Sequence, residues 1–187
     1  FSVILKANTA LLPIILSVCL HKAVAGFVRL EKQEGVTIKW PNDILIGDKK
    51  LAGILLESYP DGANSRFYIA GIGLNVNTPE GGFEEDSSAV ALESVSHMAV
   101  KRQDVLAGIL LELKKTLDET ANNTDHAAEV AYYRKHCATF GRPVIWQDGT
   151  KQETGIATDI TPDGHLVLQT DAGKVTCNVG DIIARKD

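Results

Sequence analysis

The chain predicts an α+β fold: a mixed sheet with helices through residue 140, then a small antiparallel β-barrel over 141–187. Three observations predict it. Apolar runs of β type at 44–46 and 51–56 flank Gly47-Asp48, a pair suited to a tight hairpin turn. Leu106, Leu110, Leu113 and Leu117 recur at spacings of three and four, which makes one helical stripe. After Gly141-Arg142-Pro143, short strand-like segments alternate with Asp148-Gly149, Pro162-Asp163-Gly164 and Asp171-Ala172-Gly173, turn signals at the spacing of a small barrel.

In chain order, residues 1–5 are an apolar run that reads as a buried strand needing partners beside it. A helix follows over 9–27, with Thr9 as N-cap, Pro13 in the first turn and Gly26 as the stop. Residues 36–40 form a short strand, and 67–75 another whose glycines alternate. Segments 59–66 and 77–88 are rich in Pro, Gly, Asp, Asn, Ser and Glu and read as loops. Helices are expected over 104–120 and from Thr124 or Asp125 to about 138, the second turning Tyr132, Tyr133 and Cys137 inward.

Composition narrows the class. The 187 residues are 44% hydrophobic and 23% charged, as in ordinary soluble globular proteins, and a formal charge of -5 argues against a nucleic-acid-binding surface. The longest apolar run, 10–20, contains Pro13, ends at His21-Lys22 and is too short to span a bilayer. It also lacks the features of a secretory signal. Cys19, Cys137 and Cys177 are widely spaced and point to neither a disulfide framework nor a zinc site, which fits a reducing cytoplasm. His21, His97, His126, His136 and His165 form no metal-ligand spacing, and no Gly-x-Ser-x-Gly elbow or Walker phosphate loop is present. Covalent serine or cysteine catalysis is therefore not expected.

The chemistry concentrates at 39–58. Pro41 stiffens a corner from which Asn42 and Asp43 project, either towards a ligand or into an Asx-type turn that only holds the loop. Lys49 and Lys50 stand just past a turn, where a lysine is either solvated or placed to meet an anion. In a regular strand Lys50 would point away from Gly53 and Leu55, so it either precedes the pleat or follows a bulge. Gly71, Gly73 and Asn75 share one face at a spacing of two, and glycines there let a flat ligand lie on backbone.

Lys39-Trp40-Pro41-Asn42-Asp43, then Lys50-Leu51-Ala52-Gly53-Ile54-Leu55-Leu56-Glu57, then Gly71-Ile72-Gly73-Leu74-Asn75 resembles the core of the biotin protein ligases. The likeness runs from Phe1 to the 180–185 segment. It implies a class II synthetase-like biotin/lipoate ligase core over 1–140 and an SH3-like C-terminal barrel over 141–187. The implied reaction takes ATP, Mg²⁺ and biotin to biotinyl-5′-AMP, then moves the biotinyl group to a lysine on the biotin carboxyl carrier domain of a carboxylase.

By the same resemblance Lys50 is the catalytic residue, with Lys49 the alternative. Lys50, Gly53, Leu55, Gly71 and Gly73 take biotin. Lys39, Asn42, Asp43, Asn75, Asp181 and Arg185 take ATP, and Asp43 and Asn75 meet its magnesium. For Asp181 and Arg185 the alternative is a surface pair at the chain end. The resemblance further implies a cytoplasmic enzyme, compatible with a homodimer, that contacts neither nucleic acid nor membrane. The family carries a Gly/Arg-rich loop upstream of the strand corresponding to 1–5, and no such loop occurs in this sequence. That leaves open a non-catalytic biotin- or adenylate-binding module, and the shared architecture leaves a lipoate-type ligase, against which the intact Lys39–Asp43 block argues.

Overall fold

The computed structural model describes residues 1–6, 9–28, 35–62, 66–84, 88–96, 99–120, 125–149, 151–178 and 180–184. Two five-stranded sheets, three α-helices and a 3-10 turn at Leu92–Ser94 are formed by the described residues. The first sheet holds β1 (Ser2–Lys6), β2 (Val36–Lys39), β3 (Asp43–Ile46), β4 (Lys49–Pro60) and β5 (Arg66–Leu74), in the order β1-β5-β4-β3-β2. A mixed sheet is expected from the sequence, yet every pairing between these strands is antiparallel. Only three residues separate β2 from β3, two separate β3 from β4 and five separate β4 from β5, and connections so short cannot link parallel neighbours. Among the described residues, parallel pairing is confined to the single bridges Ile38↔Cys137 and Lys50↔Ala89.

Helix α1 (Leu12–Ala25) is shorter than its sequence pattern at both ends. Thr9 makes a small turn before the helix, its hydroxyl accepting the Leu11 N–H at 3.2 Å, while Pro13 occupies the first helical turn. Ten of the helix residues, from Leu12 to Val24, are buried. That is the pattern of a helix covered all round, and α1 lies against the sheet between α2 (Arg102–Thr120) and α3 (Ala127–His136).

The buried stripe of α2 is Val105, Ile109, Leu113 and Thr116, not the leucine stripe read from the sequence. Of those leucines only Leu113 is buried, and Leu106 and Leu110 border solvent. The two stripes share Leu113 and are offset by one residue at the other three positions, and α2 packs on α1. At α3, Asp125 accepts the Ala127 N–H at 3.0 Å, and Thr124 lies outside the described residues. Tyr133 is fully buried, and Tyr132 and Cys137 partly so.

The second sheet runs β10-β6-β7-β8-β9, from β6 (Pro143–Asp148), β7 (Lys151–Ile160), β8 (Leu166–Thr170), β9 (Gly173–Cys177) and β10 (Asp181–Ala184). Among the described residues no ladder joins β9 to β10, so the strands form an open antiparallel sheet where a closed barrel is expected.

The two sheets meet at Trp40-Pro41. The buried Trp40 donates its indole N–H to the Gly164 carbonyl at 3.1 Å and its backbone N–H to Thr139 Oγ1 at 2.9 Å. Tyr133 donates its hydroxyl to the Pro41 carbonyl at 3.2 Å, and burial pushes that phenol well above its ordinary pKa, so it stays a donor. At Gly164 φ is +83°, and an added Cβ would stand 2.8 Å from Ile14 on α1, so this turn can approach the helix only as glycine. One continuous apolar cluster extends from α1 and the first sheet to Trp146, Leu168 and Ile182 of the second.

His21 lies inside this packing with its Nε2 3.0 Å from the Val36 carbonyl and its Nδ1 3.0 Å from the Tyr132 hydroxyl. The carbonyl can only accept, so Nε2 carries the proton and the neutral ring accepts from Tyr132 at Nδ1. Desolvation, against the opposing Val36 bond, lowers its pKa from 6.5 to about 4. The neutral ring therefore contributes stability that is complete above pH 6.5 and declines as the pH falls towards 4. We expect acidification through that window to remove up to about 3 kcal/mol, read as a falling urea midpoint between pH 7 and pH 4.5. His21→Gln should flatten the dependence, and an equally steep slope in that variant would refute the assignment.

Candidate active site

The sheet has two unlike faces. On the face towards α1, Ala52, Ile54, Ala70 and Ile72 are buried. On the other, the β4–β5 ladder sets Gly53 opposite Gly73 and Leu55 opposite Gly71, and β1 adds Ser2 beside Gly71. Residues directly opposite share a face, so three glycines leave this part of the sheet without side chains, and Leu55 stands beside them, 66% exposed.

A cleft of about 1030 Å³ opens over this bare backbone. The 39–43 corner walls one side with Lys39, Asn42 and Asp43, while Lys50, Gly53 and Leu55 come from β4 and Gly71, Gly73 and Asn75 from β5 and its end. Asp181, the first residue of β10, reaches the same cleft from the second sheet. The structure thus brings together ten of the site residues expected from the sequence. Arg185 lies outside the described residues.

The parity problem at Lys50 resolves as a bulge. The β3–β4 ladder pairs Leu45 with Lys50 but Ile44 with Ala52, leaving Leu51 as the extra residue. Lys50 is thereby turned onto the glycine face, where its Nζ lies 2.6 Å from Asp43 Oδ1. The pair is uneven: the lysine side chain is 50% exposed and the aspartate 19%. Lys49 pairs with Ile46, is exposed and stands outside the cleft.

The backbone around this pair is fixed on several sides. Lys50 donates its N–H to the Ser88 carbonyl at 2.6 Å and accepts the Val90 N–H at 3.0 Å. Asn75 donates its N–H to Leu51 and accepts from Leu92, and its side-chain amide lies 3.5 Å from the Lys50 carbonyl. Just beyond, Glu93 accepts from the Asn77 side chain and the Thr78 backbone N–H, bonds that hold its carboxyl below the usual range. Asn42 clamps the corner to β4: its carbonyl accepts the Ile54 N–H at 3.1 Å and its amide donates to the Ile54 carbonyl at 2.5 Å. These bonds reach across to the neighbouring strand, whereas an Asx-type turn would bond within the loop.

The grip of Ser88 and Val90 on Lys50 is absent from the sequence reading, as is the wall formed by Phe1 and Ile72. Ser88 closes a polar stretch with no strand pattern, and its contribution is a backbone carbonyl, which leaves no trace in residue type. Ile72 donates its N–H to the Phe1 carbonyl at 2.8 Å, a contact set by the β1–β5 register.

Residues 1–77 match the biotin/lipoate A/B protein ligase family, and residues 139–185 match the biotin protein ligase C terminal domain. The biotin--[acetyl-CoA-carboxylase] ligase of Mycobacterium tuberculosis is 34% identical over 148 residues, 78% of this chain and 52% of that protein. The one from Paracoccus denitrificans is 32% identical over 145 residues, 74% of this chain and 59% of that protein. The chain thus spans little more than half the length of these relatives. Among solved structures, the Aquifex aeolicus biotin protein ligase in complex with biotin and ATP superposes with a TM-score of 0.80 at 23% identity. That superposition covers 100% of this chain and 78% of the other. At that identity the likeness speaks for the fold.

Asn42→Ala should cost about 1–2 kcal/mol, because it leaves the Ile54 carbonyl without its donor. Urea unfolding checks this, and an unchanged midpoint would show that the clamp carries no stability.

Proposed function

We propose that this chain, a relative of the biotin protein ligases in both of its sheets, forms the catalytic part of a biotin–[acetyl-CoA-carboxylase] ligase. One observation carries the reading: a single cleft joins a lysine, a side-chain-free stretch of sheet and the 39–43 corner. Two anions must meet in such a reaction. A biotin carboxylate oxygen bonds to the α-phosphorus of ATP, the bond to the β-phosphate bridging oxygen breaks, and pyrophosphate leaves with that electron pair. A fixed cation between the carboxylate and the phosphate lowers the repulsion, and Lys50 is the residue proposed for that place. In the second step the carrier lysine, as a free amine, attacks the acyl carbon, AMP leaves with the former acyl oxygen, and the amide nitrogen loses a proton.

Leu55, Gly71 and Gly73 are proposed to take the flat ureido ring system and its valeryl chain on the bare face, and only the resemblance puts Gly53 with them. Lys39, Asn42, Asp43, Asn75 and Asp181 border the nucleotide side, with Arg185 assigned there on the resemblance alone. Asn42 serves largely by fixing the corner that carries Asp43. Asp43 and Asn75 offer the hard oxygen donors that magnesium prefers, but no group of three His, Cys, Asp or Glu comes together among the described residues. Mg²⁺ would therefore arrive on the ATP phosphates, where it supplies charge neutralisation.

The division into a core over 1–140 and an SH3-like unit over 141–187 is supported by the start of the C-terminal match at residue 139 and by five antiparallel strands in order. A carboxyl carrier domain as acceptor, a homodimer and a cytoplasmic setting belong to the same reading. No described helix is long and apolar enough to cross a membrane. A lipoate-type ligase is the second reading, since the family matched by 1–77 includes lipoate ligases.

Biotinyl-AMP should form on incubation of the full-length protein with ATP, Mg²⁺ and biotin, and Lys50→Ala should slow it by roughly 100-fold or more. An unchanged rate in that variant would refute the role of Lys50, and adenylation of lipoate alone would decide for the second reading. An added Cβ at Gly73 meets nothing within 4 Å. Gly73→Ala should therefore unfold as the parent does yet bind biotin at least about tenfold more weakly by calorimetry. Equal affinity would remove Gly73 from the ligand surface.

A further inference from the structure

We infer that Gly53 and Asp43 form a seat for Lys50, so that Gly53 acts as a positioning residue for the lysine and not as ligand surface. The consequence for rate rests on the ligase reading above; the geometry does not. The three glycines that the sequence groups together differ in what fills the space of their missing side chains. An added Cβ would meet nothing within 4 Å at Gly73 and only ordinary contacts, 3.8 Å or more, at Gly71. At Gly53 it would stand 2.9 Å from Asp43 Oδ1 and 3.1 Å from both Cε and Nζ of Lys50. The space over Gly53 is already taken by the protein's own ion pair.

Three features converge on that arrangement. The bulge at Leu51 turns Lys50 onto the glycine face. Asp43 is the direct cross-strand partner of Gly53, so its carboxylate emerges beside the bare position and meets Nζ at 2.6 Å. Bonds to Ser88 and Val90 hold the Lys50 backbone, leaving only the side-chain torsions to be fixed. An ion pair with a half-exposed lysine adds little to folding stability. Its effect is to confine a long, flexible side chain to one orientation over the cleft. A methyl group at Gly53 would lift the ammonium off the sheet and into the space where the anions meet. The atoms displaced are ends of side chains, so β4 itself can persist.

The test is a double-mutant cycle on the full-length protein, read by biotin-dependent exchange of pyrophosphate into ATP. Gly53→Ala should lower kcat roughly 100-fold, the scale of an ångström-sized misplacement, while KM for ATP and biotin stays within about threefold. In a Lys50→Ala background the same glycine change should cost less than about twofold, because no ammonium remains to misplace. Equal losses in both backgrounds would overturn the inference and return Gly53 to the ligand surface. Thermal unfolding supplies an arm that does not depend on activity. Gly53→Ala should lower Tm in the parent and lower it less beside Lys50→Ala, and equal shifts would again overturn the seat. If the parent exchanges no pyrophosphate, the ligase reading fails, while the unfolding cycle still decides whether Gly53 seats Lys50.

Discussion

The rest of the structure depends on the hydrogen-bonded burial of Trp40 and on the bonds made at Pro41 beside it. An indole can be taken out of water at low cost only if its N–H finds an acceptor, and here the acceptor is the Gly164 carbonyl in a turn of the second sheet. The Trp40 backbone N–H goes to Thr139 and the Pro41 carbonyl receives Tyr133, so the corner is tied to α3 and to the connection that leads into β6. Loss of the Thr139 hydroxyl leaves the buried Trp40 N–H unsatisfied, at about 1–3 kcal/mol. Residues 42 and 43 therefore leave this corner in one direction, and Asp181 on β10 is held at the same cleft.

From that anchor the two faces of the first sheet divide their tasks. One face supplies core, with Ala52, Ile54, Ala70 and Ile72 against α1. The other gives up side chains at Gly53, Gly71 and Gly73, each a loss of roughly 0.5–1 kcal/mol relative to alanine within a strand. A fold selected for stability alone would fill those positions. Antiparallel sheets tolerate the asymmetry because one face can remain open to solvent.

The cationic group of the cleft sits where local rules would not put it. A regular pleat from Lys50 to Gly53 would send them to opposite faces, and one extra residue at Leu51 reverses that. The bulge, the backbone bonds to Ser88 and Val90, and the carboxylate of Asp43 together turn a hairpin lysine into a directed one. Each constraint comes from a different part of the chain, so a change at one can be felt at the lysine without touching it.

The sequence by itself determined what is local: helix and strand periods, turn residues, the alternating glycines of β5, and the charged and amide side chains of the candidate site. It also held the likeness to the biotin protein ligases, because three blocks in order carry polar residues and glycines that packing does not demand. What depends on register and facing was decided only in three dimensions. The buried stripe of α2 is offset from the leucines as α2 packs on α1, the strand directions are set by short connections, and the face of Lys50 by a bulge whose two arms must be paired before it exists. The open edge between β9 and β10 and the grip of Ser88 on Lys50 are likewise backbone matters. Backbone carbonyls and N–H groups are the same in every residue but proline, so their pairing across long separations is not written in residue type.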